Sequence, residues 1–140
     1  MSDYTPTPVI IDTTVLHEIV RGEVGVISLI QGFDADGQPM VVSALAITAA
    51  LMDARNEEAA DAMHGLAAME NVTVAPLKDA EQAENLALVA VVTGLDVVEA
   101  HTAAIADVSV CPILTLNAAR WEEPSAALEE RLFTIEIAEP

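Results

Sequence analysis

Carboxylates at the ends of apolar runs are the groups in this chain with chemistry to offer. Asp12 is the clearest. It follows Val9, Ile10 and Ile11 and precedes Val15, Leu16, Ile19 and Val20, which recur at helical spacing. Three β-branched residues in a row are apolar on both faces, the pattern of a buried parallel strand. Asp12 is therefore expected at the carboxyl end of a first strand, where open α/β sheets place their ligands. The same residue has a simpler reading: Asp12, Thr13 or Thr14 can cap the helix that follows. Clustered Asp and Glu side chains bind Mg2+ or Mn2+, and such ions activate water for phosphodiester cleavage.

Other chemistries find little support. There is no phosphate loop, dinucleotide glycine fingerprint, Cys/His metal cluster or nucleophile elbow. His17, His64 and His101 lie far apart in sequence, and a lone histidine reads as a surface or core residue. Ser43 and Cys111 have no adjacent base, and Cys111 sits in an apolar context as a small core residue. Asp34, Asp36 and Gly37 begin like a calcium loop, but the later ligands and the distant Glu are missing.

The carboxylates depend on an alternating series of strands and helices. Strands are expected at 9–11, 40–43, 72–75, 110–116 and 133–138. Pro112 suggests that the fourth is entered at an edge or loop, and the polar face of the fifth suggests a sheet edge. Helices are expected at 14–21, 24–30, 44–55, 57–69, 79–92, 96–106 and 125–132, with Gly32 and Gly94 ending two of them. Strands separated by one or two helices imply an α/β domain, a three-layer α/β/α sandwich around a largely parallel five-stranded sheet.

The chain has 140 residues, 53% hydrophobic and 3% aromatic, enough for one domain with an aliphatic core. The reading is a single domain over 1–140, with 1–7 as a tail before the first strand. The tail lacks a signal peptide's basic and apolar parts, and no apolar run spans a membrane, so a cytoplasmic location is expected. The net charge is −18, with five basic residues: Arg21, Arg55, Lys78, Arg120 and Arg131. Nucleic-acid affinity comes largely from neutralising phosphates, so general DNA or RNA binding is disfavoured.

The order of elements and four local words resemble the PIN-domain superfamily, which includes the toxin ribonucleases of toxin–antitoxin pairs. The words are Val9 to Leu16, Val41 to Leu51, Glu99 to Ala106 and Pro112 to Trp121. They look like the opening strand with the first acid, the second strand and its helix, the helix with the third acid, and the late strand with its Thr-x-Asp/Asn ending and following aromatic. The resemblance covers nearly the whole chain. It implies Mg2+ or Mn2+ as cofactor, RNA as substrate, a homodimer, and an antitoxin or other protein partner.

The family's set of four acids becomes Asp12, Ala49, Glu99 and Asn117 here. Asp12 and Glu99 are the catalytic candidates, and Asp12, Glu99, Asn117 and Asp96 the metal candidates, with Asp96 one turn before Glu99. Thr13 or Thr115 would hold neighbouring groups or water. Ala49 cannot ligate a metal. Asp53 and Glu18 are the acids that would re-enter the pocket from their helices, and Asp53, one turn beyond Ala49, would have to reach back to do so. A PIN-like protein with weakened or lost nuclease activity is therefore expected. The alternative is a non-catalytic module acting through self-association or a partner, with Met52, Met63 and Met69 as candidates for an adaptable contact surface.

Overall fold

The computed structural model describes residues 6–138. Residues 1–5 of the expected tail fall outside this range. In chain order the elements are β1 (Val9–Ile11), α1 (Thr13–Val20), α2 (Val24–Ala35), β2 (Met40–Ser43), α3 (Ala44–Ala54), α4 (Glu57–Ala67), β3 (Val72–Ala75), α5 (Ala80–Thr93) and α6 (Val97–Ser109). There follow β4 (Ile113–Thr115), a 3-10 turn (Ala118–Trp121), α7 (Glu122–Ala126) and β5 (Thr134–Glu136). The sheet order is β3-β2-β1-β4-β5, and every pairing is parallel.

This topology positions the site. The chain lays β1, β2 and β3 outward in one direction, then crosses back to put β4 on the other side of β1. In open α/β sheets such a reversal is where the ligand crevice lies, outside the carboxyl ends of the two strands that flank it, here β1 and β4. Asp12 leaves β1 at that point, and Leu116 and Asn117 leave β4.

Side-chain alternation along the strands sorts two cores onto the two faces. Ile11, Met40, Val42 and Leu114 pack with α1, α3 and α4. Ile10 and Ile113 pack with Leu86 and Val89 of α5, with Ala100 and Ala103 of α6, and with Trp121. The register agrees, since Ile10 pairs with Val41 and Ile113, and Ile11 with Val42 and Leu114. The three-layer α/β/α sandwich is what the strand and helix patterns anticipate. Cys111 is buried, as are Met63 and most of Met69, so these methionines belong to the core; Met52 is exposed.

Several boundaries differ from the sequence reading, each for a local reason. α2 runs through Gly32 to Ala35, because one glycine costs a helix only about 1 kcal/mol; the reversal comes at Gly37, with φ of 77°. β4 is shorter than the expected 110–116 and is an interior strand, so of the two places Pro112 suggests it occupies the loop that enters the strand, where its carbonyl accepts from Ile10 N at 2.9 Å. The helix expected at 125–132 instead begins at Glu122 and ends at Ala126. Pro124 sits in its first turn, where the missing N–H is not needed. β5 is the edge strand its polar face suggests.

α6 overruns its expected end to reach Ser109, and Val110 becomes its C-cap with φ of 51°. A β-branched residue in the left-handed region is strained. Val110 is 64% exposed, so little packing depends on its side chain. Val110→Gly is expected to raise stability by about 1 kcal/mol, as glycine is the favoured residue at such caps. Urea unfolding checks this, and an unchanged or lower midpoint would mean that packing outweighs the strain.

Candidate acidic site at the β1–β4 crevice

Asp12 is fully buried. Its Oδ1 caps α1, accepting from Thr14 N at 2.9 Å and Val15 N at 3.3 Å, and also from the Thr14 hydroxyl. Its Oδ2 accepts from the indole Nε1 of Trp121 at 2.9 Å. The capping role is therefore real, and the second oxygen does something a cap does not require. The Thr14 hydroxyl also accepts from Leu116 N at 2.9 Å, tying the end of β1 to the end of β4.

Glu99 lies in the first turn of α6 and is 7% exposed. Its Oε1 accepts from the Thr13 hydroxyl at 2.6 Å. Its Oε2 accepts from Nη2 of Arg120 at 2.7 Å. The other terminal nitrogen of Arg120 lies 3.4 Å from Thr13 Oγ1 and 3.9 Å from Asp12 Oδ2. The guanidinium also sits 5.6 Å from the centre of the Trp121 ring, within range of a cation–π contact. One cation thus lies between the two carboxylates, and its neighbour in sequence holds one of them.

The Glu99 carboxyl is held above its usual pKa range, chiefly by burial. The Thr13 hydrogen bond and the Arg120 charge oppose that rise, and Asp12 and Asp96 add to it. Asp96 is exposed, and its side chain caps α6 through Glu99 N at 2.9 Å. Asn117 is exposed, and its side chain makes no hydrogen bond among the described residues. Thr115 is buried, and its hydroxyl accepts from Asn117 N at 3.1 Å. Ala49 is half-buried. Asp53 pairs with His17 at 3.0 Å and Glu18 with Arg21 at 2.9 Å.

Of the four candidate ligands, Asp12 and Glu99 are brought together, with Arg120 between them. All four of their carboxylate oxygens already accept a hydrogen bond. Mg2+ requires close, near-octahedral oxygen ligands, so a divalent ion would have to displace the guanidinium. The residues as arranged do not fit such an ion.

Two features escape a reading of local pattern. Arg120 gives no sign in sequence of facing two acids, though a cation three residues beyond Asn117 in a chain so poor in cations is a usable hint. The second feature is a buried pair, Ser43 Oγ with His101 Nδ1 at 2.6 Å. Ser43 ends β2 and caps α3, accepting from Leu45 N and Ala46 N at 3.1 and 3.2 Å. Its own proton is therefore directed to Nδ1, which leaves the imidazole proton on Nε2. Burial lowers the His101 pKa and favours this neutral form. Ser43 is fully buried, so the pair positions α3 and α6 and presents no accessible nucleophile.

No family model and no curated protein matches the chain. Solved structures are similar to it. One is the crystal structure of PAE2754 from Pyrobaculum aerophilum, with a TM-score of 0.56 and 17% identity, covering 92% of this chain and 84% of that one. At that identity the likeness establishes the fold. Among the described residues, no single helix is long and apolar enough to cross a membrane.

Proposed function

We propose that this chain is a PIN-like protein descended from Mg2+- or Mn2+-dependent ribonucleases of the toxin type, with nuclease activity weakened or lost. In this reading Arg120 has taken the place of the divalent ion, and the domain acts through self-association or a partner protein in the cytoplasm. A homodimer and an antitoxin-type partner follow from the family resemblance. The observation that carries the reading is Arg120 seated 2.7 Å from Glu99 and 3.9 Å from Asp12. A fixed internal cation neutralises the charge that would otherwise recruit a metal. Ala49, where the resemblance implies a Glu, removes a ligand in addition.

The net charge of −18 is a second support, because it opposes approach of an RNA backbone. A contact role is favoured by the outer side of α5. Residues 86–95 carry no charge, and Leu88, Val91 and Val92 on this run are exposed. A helix apolar on more than its core side usually meets another surface.

The test is cleavage of a mixed-sequence RNA with Mg2+ or Mn2+, with sedimentation analysis of the same sample. The expected outcome is intact RNA and a self-associated species. Metal-dependent cleavage that Asp12→Asn abolishes would overturn the reading.

A further inference from the structure

The two faces of the sheet are unequally covered. α5 and α6 meet at a bend of 106°, and they leave the β2–β3 side of their face open. Val41 is half-buried there, and its register partner Thr73 is exposed, whereas Met40, Val42 and Val72 are buried. A cleft of about 580 Å³ opens between α5, α6 and the segment after β3.

The cleft's chemistry is specific. Its walls include Val41, Leu86 and Ile105, and Asp79 and Glu81 line it as exposed acids. His101 also lines it and is 5% exposed. With Nδ1 occupied by Ser43, the Nε2 proton remains, and Nε2 makes no hydrogen bond among the described residues. Apolar walls with a few placed polar groups, at this volume, are what small-molecule sites present. The acids set the sign of the ligand. Neither Asp79 nor Glu81 has a cationic side-chain partner among the described residues, although Asp79 also caps α5 through Gln82 N at 3.0 Å.

We propose that this cleft binds a small amphiphilic cation: an apolar body against Val41, Leu86 and Ile105, a carbonyl-type acceptor on His101 Nε2–H, and an ammonium group beside Asp79 and Glu81. The site is separate from the acidic crevice and does not depend on the reading of that crevice.

Three probes on one scaffold test it: phenylalaninamide (cationic), N-acetylphenylalaninamide (neutral) and N-acetylphenylalanine (anionic), each titrated while amide and imidazole NMR signals are followed. The cation should shift signals of Leu86, Ile105 and the His101 ring, with a Kd in the range of about 1 mM suited to so small a ligand. The neutral probe should bind about threefold more weakly, and the anion should not bind. Val108→Trp fills the cleft from a position that is 72% exposed, so the core is spared; it should weaken the cation by about tenfold or more. Glu81→Gln should narrow the gap between cationic and neutral probes. Absence of shifts up to about 10 mM, shifts scattered over the acidic surface, equal binding of the anion, or indifference to Val108→Trp would each overturn the proposal.

Discussion

Arg120→Met is expected to destabilise the protein by about 3 kcal/mol at neutral pH, the low end for removing one member of a buried ion pair. The low end applies because the Arg120 side chain keeps 30% of its surface exposed, against 9% for Glu99 and none for Asp12. Methionine keeps much of the packing over Trp121 and removes only the charge. Glu99 is then left buried beside Asp12 with the Thr13 hydroxyl as its one remaining side-chain donor.

The loss should depend on pH in a defined direction. In the folded protein Glu99 already titrates above its reference value of 4.5. A folded pKa above the unfolded one means that the folded state holds the proton after the unfolded state has released it. This contribution to stability is complete below the unfolded pKa and disappears as pH rises through the folded pKa. Removing the guanidinium raises the folded value further, so the window of loss extends upward. Urea melts from about pH 4 to about pH 8 should show the gap between wild type and Arg120→Met widening with pH. A gap of equal size at both ends would mean that Arg120 contributes packing and little charge.

Asp12→Ala is expected to cost a similar amount, about 3 kcal/mol, from two separable sources. Loss of the α1 cap accounts for about 1 kcal/mol. Loss of a charged acceptor for the buried Trp121 indole accounts for about 1.5–3 kcal/mol. Asp12→Asn separates them. An amide oxygen restores the cap, but its NH2 group then meets the indole N–H and Arg120, which are both donors. Asn should recover about 1 kcal/mol and no more. Trp121 is the only tryptophan in the sequence and is 1% exposed, so its fluorescence reports the site directly. Wild-type stability and an unshifted emission in Asp12→Ala would contradict the dual role.

Much of the fold was legible because it rests on local patterns. The apolar runs at Val9–Ile11 and Met40–Ser43 read as buried strands, and the spacing of Val15, Leu16, Ile19 and Val20 read as a buried helical face. Helix ends were less legible. α6 continues to Ser109 and closes on Val110, a residue whose own preference is for strand. Only the tertiary demand to enter β4 at Ile113 explains that choice.

Asp12 was legible both as a strand-end carboxylate and as a cap, and the structure makes it the cap while giving its other oxygen to Trp121. Arg120 was not legible in its role. It lies 21 residues from Glu99 and 108 from Asp12, and a guanidinium between them exists only once β4 lies beside β1 and α6 packs across them. Ser43 and His101, separated by 58 residues, were hidden for the same reason.

The most direct measurement is calorimetric titration of Mn2+ into wild type and Arg120→Ala, with circular dichroism confirming that the variant is folded. If Arg120 stands in the place of the divalent ion, wild type gives no binding heat, and Arg120→Ala gains a site that Asp12→Asn in the same background removes. Micromolar binding by wild type that is unchanged in Arg120→Ala would contradict the claim, and would return Asp12 and Glu99 to the role of metal ligands.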